Sequence, residues 1–182
     1  MPDSSSTIEE IRTRLTSPPS KALTLTLAQE AIGDDAILSA LLHLIYHDTS
    51  PVRWRAAWVI EKVSGRYPSS VAAELPRLTE LAMCPDIAHG LRRLLLRIIY
   101  NVPDRASMDV AFFNFLLDTM LDPQATPGVQ SLAMKLASRI SACDRDLHEE
   151  FLCLVGNMEL EYYSKGVCSV ARECLKKRNR KV

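Results

Sequence analysis

The sequence predicts an all-α fold in which antiparallel helix pairs recur about five times, on three observations. Pro18, Pro19, Pro51, Pro68, Pro85, Pro103, Pro123 and Pro127 all fall between apolar segments, where proline begins or ends helices. Within those segments the apolar spacing is helical, as in Ile37, Leu38, Leu41, Leu42 and Ile45, or Val129, Ala133, Leu136 and Ile140. Only six glycines occur, and no Asn-Gly or Asp-Gly pair sits between alternating runs to suggest a hairpin.

First helices are expected over 7–15, 35–47, 70–83, 106–121 and 146–157, each followed by a second helix. The buried stripes of the second helices start at Leu23, Val52, Leu91, Val129 and Val167, separated by 29, 39, 38 and 38 residues. Four residues on come Leu27, Ala56, Leu95, Ala133 and Ala171, all apolar. Three residues before come Ser20, Thr49, Ala88, Thr126 and Ser164, four of them hydroxyl residues of the kind that cap helix starts. Pro51 and Pro127 lie near first turns, where a missing N–H costs nothing. Columns in one register mark a repeat of about 38 residues. One pair cannot bury its apolar face, so stacking against the next pair yields an elongated solenoid.

Composition bounds the function. The 182 residues, 47% hydrophobic, carry 22 basic and 22 acidic side chains, enough chain for a sizeable core and no global basic charge for nucleic acid. One repeat domain over 1–182 is expected, with a disordered tail at 1–6 and a basic end at 176–182. The opening MPDSSSTIEE is polar and acidic, not a secretory signal, and the apolar run 36–46 is broken by Ser39 and His43. Five cysteines without a CxxC pair fit a reducing compartment, so a cytoplasmic protein with no membrane contact is expected.

The second unit reads Asp48-Thr-Ser-Pro-Val52-Arg53-Trp-Arg-Ala56-Ala57-Trp-Val-Ile60, and the third has Leu75-Pro76-Arg77-Leu78-Thr79-Glu80-Leu81. A weaker copy is Asp122, Pro127-Gly-Val129 and Ala133-Met134. These segments resemble HEAT and HEAT-like repeats, the armadillo-type helical repeats, with their D…VR..AA..L second helix and proline-bearing first helix. The valine–arginine pair itself occurs in one unit. The resemblance implies a right-handed superhelix whose second helices line the concave side.

At about 100° per residue, the third, seventh and tenth residues of each second-helix register point away from the core stripe. That face reads Leu25, Gln29, Ile32, then Trp54, Trp58, Glu61, then Arg93, Arg97, Tyr100, then Ser131, Lys135, Ser138, and finally Ser169, Glu173, Lys176. Its centre is aromatic and cationic. Trp54 and Trp58 are candidate anchors, since tryptophan and arginine dominate binding energies; the bland reading has the rings covering a neighbouring helix. Arg93, Arg97 and Lys135 are candidate cations for carboxylates, with Arg93 and Arg97 able to lie over the indoles. Residues 51–105 hold nine Lys/Arg against five Asp/Glu, a net +4 between acidic flanks, which suits an acidic protein segment.

Catalytic and metal signals are weak. His43 and His47 have ligand spacing, but Leu44 stands where a zincin has glutamate, so surface histidines are expected and no metal or cofactor. No phosphate-cradling loop or GxSxG element occurs, and His148, Glu149 and Glu150 point in different directions. Cys153, Cys168 and Cys174 are expected as buried small hydrophobes. Some HEAT-like proteins are alkylpurine DNA glycosylases, and Trp54, Trp58, Arg93, Arg97 and Glu61 are similar to their residue types. The neutral charge favours a non-enzymatic scaffold that binds a protein segment over this nucleic-acid alternative.

Overall fold

Ser20, Asp34 and Asp144 show why the helices start where they do: each side-chain oxygen accepts a backbone N–H of the following first turn. The computed structural model describes residues 4–103 and 110–178. Among these are ten α-helices and two 3-10 turns with no strand, as the sequence predicts. The helices are α1 (Ser4–Thr16), α2 (Lys21–Gly33), α3 (Asp35–His47), α4 (Val52–Arg66), α5 (Leu75–Met83), α6 (His89–Asn101), α7 (Val110–Leu121), α8 (Pro127–Ser141), α9 (Arg145–Gly156) and α10 (Lys165–Arg178). No described helix is long and apolar enough to cross a membrane.

Three expectations are corrected. Residues 4–6, assigned to a disordered tail, open α1 instead. The helix expected over 70–83 is divided into a 3-10 stretch, Pro68–Glu74, and α5, because Pro76 lacks an N–H and its ring opposes a continuous ladder to the preceding turn. The hydroxyl caps act at Ser20 and Ser164, whose oxygens accept from Leu23 and Val167, but not at Thr49 or Thr126. Pro51 itself holds the cap position of α4, two residues after Thr49, and Pro127 follows Thr126 directly, so φ is already set and one free donor is gone. Residues 106–109 of the fourth expected first helix lie outside the described residues.

The chain divides into two compact units, Met1–Asp104 and Arg105–Val182. In the first unit α1 packs along α3, α2 along α4, and α4 along α6, with α3–α4 and α5–α6 as hairpins. In the second, α7 packs on α8 and α8 on α10. The expected column Leu27, Ala56, Leu95, Ala133 and Ala171 is fully buried, small side chains there letting helix backbones approach. Leu23 is only half-buried; the buried stripe of α2 begins one residue later, at Thr24. Without a preceding pair, α2 is covered on fewer sides.

One device recurs without being evident from the sequence. In four of the five second helices the residue after the first buried position reaches back eight residues to a backbone carbonyl, while Thr24 of α2 reaches only four, to Ser20 O. Arg53 Nε donates to Ile45 O at 2.7 Å and Arg92 donates to Cys84 O at 2.6 Å. Gln130 Nε2 donates to Asp122 O at 2.9 Å, and Cys168 Sγ to Leu160 O at 3.2 Å. Arg92 Nε also reaches Ala82 O at 3.1 Å. At Ile45, Cys84 and Asp122 these donors satisfy carbonyls at or just beyond the end of the preceding helix, where no intrahelical partner follows; Leu160 lies farther on, in a 3-10 turn, and also accepts from the Tyr163 N–H. The valine–arginine pair is therefore one instance of a clamp that different donors repeat.

Candidate functional site

In the first unit the side-by-side packing of α2, α4 and α6 sets the predicted outward rows next to each other. Trp54 and Trp58, four apart on α4, have ring centroids 5.4 Å apart and planes tilted by 43°. Trp54 also rests on α6: a Cβ added to Gly90 would lie 3.3 Å from its Nε1. Absence of a side chain at Gly90 lets the indole approach the backbone. At the other end of the same helix pair, Asn101 Nδ2 donates to Ser64 Oγ at 3.0 Å and Glu61 O at 3.4 Å. The α4–α6 contact is thus pinned at both ends, and both tryptophans remain half-buried.

Trp54 therefore has the packing role weighed against anchoring, while keeping part of its ring open. Arg93 lies one turn beyond Gly90 and is exposed; Arg97 and Tyr100 are half-buried on the same helix. Arg97 has its guanidinium 5.9 Å from the Tyr100 ring centroid; among the described residues neither Arg93 nor Arg97 lies over an indole. Local spacing favours Tyr100, three residues away on the same helix. Neither arginine has an acidic partner among the described residues. Lys135 is half-buried on α8 of the second unit and likewise has no ion pair there.

Residues weighed for chemistry are engaged structurally. Glu61 pairs with Lys62 at 2.7 Å, and the His43 and His47 rings contact each other at 4.5 Å between centroids. No group of three or more His, Cys, Asp or Glu among the described residues could hold a metal. Ser141 Oγ lies 2.8 Å from His148 Nδ1, a nucleophile–base distance, but Ser141 is fully buried and closed to substrate. Cys168 and Cys174 are buried as expected; Cys153 is exposed, because it faces away from the α9 core stripe of Phe151, Leu152 and Val155.

The remaining ionic contacts of the first unit concern stability. Arg14 holds Glu30 through two bonds of 2.7 and 2.9 Å, and Arg12 meets Asp48 at 2.7 Å. The Arg14 bond holds the Glu30 carboxyl below its ordinary range against some burial. Burial acts to raise Asp48, but the Thr49 N–H and Arg12 outweigh it and leave that carboxyl lowered too.

Paired helices in a shared register, with a clamp repeated in four of the five pairs, define an α-helical repeat protein. The HEAT repeat domain family matches residues 11–178, and the chain belongs to that family. Such repeats are helical scaffolds that usually mediate interactions. No curated protein and no solved structure is similar enough to match the chain.

Proposed function

We propose that the protein is a non-enzymatic scaffold that binds an acidic segment of a partner protein across the second-helix face of its first unit. Trp58 and the open part of Trp54 provide apolar contact; Arg93 and Arg97 present fork-shaped donors to carboxylates, and Tyr100 orients Arg97. Lys135, the register-equivalent residue of α8, belongs to the second unit and is left out of this face. The supporting observation is that two guanidiniums without acidic partners among the described residues share a helix face beside an indole pair.

The test is binding of a fluorescent peptide that alternates glutamates with leucines, followed by anisotropy. Arg93→Glu combined with Arg97→Glu should weaken it by about tenfold or more, with binding falling as salt rises. Trp58→Ala should weaken it without loss of helicity, since Trp54 makes the Gly90 contact. Unchanged affinity in the charge-reversed variant overturns the reading. Release of a methylated purine from duplex DNA, lost in Glu61→Gln, would replace it with the glycosylase alternative.

A further inference from the structure

The second unit carries a different surface. Between α7 and α9 lies a solvent-open cavity of about 990 Å³ lined by Phe113, Leu117 and Leu121 from α7 and by Leu154, Met158 and Tyr162. Helix α7 is apolar on two faces. Phe112, Leu116 and Met120 form its buried stripe, and one position on come Phe113, also buried, and the half-buried Leu117 and Leu121, which face the cavity. A helix that only packed on α8 would need one such stripe. Here α7 and α9 are not packed along each other as α1 and α3 are, so Leu117, Leu121 and Leu154 stay half-buried and Tyr162 is 77% exposed.

Charge and dimension identify what fits. Among the described residues Glu150 and Glu159 are the only charged side chains lining the cavity, and neither forms an ion pair there. An apolar floor with two free carboxylates selects an apolar occupant with cations at its edge. From Phe113 to Leu121 the groove runs eight residues of helix, about 12 Å, or two turns. That length takes the i, i+4, i+7 anchors of an amphipathic helix, and the volume lies at the upper end of small-ligand sites. The chain's own basic end, 176–182, has suitable charge but Val182 as its sole apolar residue, so it lacks the anchors.

We propose that the α7–α9 groove is a docking site for a basic amphipathic helix of a partner protein, its apolar residues entering between the two helices and its Lys or Arg meeting Glu150 and Glu159. This site lies within the second unit and selects the opposite charge from the α4–α6 face, so either reading can fail without the other.

The probes are three fluorescein-labelled helical peptides: leucines at i, i+4 and i+7 on a lysine-alanine background, the same leucines on a glutamate-alanine background, and a scramble of the first. Anisotropy with the full chain should show the lysine peptide binding about tenfold or more tighter than either control. Glu150→Lys with Glu159→Lys, both exposed and remote from the core, should reverse the preference between the lysine and glutamate peptides; circular dichroism checks that helicity is retained. Cys153 lines the groove and is exposed, so in a Cys84→Ser, Cys143→Ser background the lysine peptide should protect it from maleimide. Equal binding of the three peptides, no binding of the lysine peptide, an unaffected charge-reversed variant, or binding that leaves Cys153 reactive would each overturn the proposal. So would Cys153 protection on dimerisation alone, which would assign the groove to a second copy.

Discussion

Two spaces between successive first helices were settled in opposite ways. In the first unit, the region between α3 and α5 is bridged: the Tyr46 hydroxyl donates to Glu74 at 2.9 Å, and Arg77 lies 3.9 Å from the ring centroid while pairing with Glu74 at 3.6 Å. Burial, with the bond to Glu74, pushes the Tyr46 hydroxyl well above its ordinary value. In the second unit, the region between α7 and α9 holds no ring with charged partners among the described residues; α7 turns Phe113, Leu117 and Leu121 toward it, and the one tyrosine bond there is a long one of 3.5 Å from the Tyr163 hydroxyl to Leu121 O. A large amphipathic ring with a charged partner on each side closes a gap that aliphatic side chains of the same helix layer leave open. The repeat supplies the layers; the residue at the gap decides whether they form structure or a surface.

Paired substitutions sharpen that contrast. Tyr46→Ala should cost about 2–3 kcal/mol, because it removes packed ring area, the bond to Glu74 and the stacked guanidinium together. Leu117→Ala in the open groove should cost about 1 kcal/mol, since only part of its surface is covered. Urea titrations read both by circular dichroism, and the two tryptophans, both in the first unit, report there by fluorescence. A larger cost for Leu117→Ala than for Tyr46→Ala would mean that the groove is packed and the bridge is not.

The clamps provide a second comparison. Arg92→Leu should destabilise by about 2 kcal/mol, because a charged group donates to several carbonyls. Gln130→Leu should cost about 1 kcal/mol, the loss of one neutral bond. Equal effects would show that the carbonyls, rather than the donor's charge, set the value of the clamp.

The smallest effect concerns pH. Glu30 and Asp48 are both lowered in the folded chain, so the stability they contribute is present above their unfolded values and is lost as pH falls through the folded ones. Unfolding midpoints should therefore drop on acidification below about pH 4. Arg14→Gln with Arg12→Gln should flatten that part of the profile. The described ion pair of the second unit, Arg145–Glu149, is exposed and i to i+4, so Arg145→Gln should leave the profile unchanged.

Much of the face on α4 and α6 was legible in advance, because helical phase alone puts residues 54 and 58, and 93, 97 and 100, away from the buried stripe. The contact between Trp54 and Gly90 was not, since phase does not say which residue of a neighbouring helix a ring will meet. The clamp was hidden because its donors are arginine, glutamine and cysteine: one position, one geometry and no shared side chain. The groove did leave a trace in VAFFNFLLDTML, where one helix carries more apolar residues than one packed face requires.

Periodicity, proline placement and the apolar columns determined by themselves that this chain forms paired helices of a HEAT repeat, because backbone hydrogen bonding and the burial of one stripe depend only on local order along the chain. Tertiary structure alone decided that Trp54 would press on Gly90 and that α7 would stand apart from α9. Those outcomes depend on distances between residues far apart in sequence, which packing sets and no local pattern encodes.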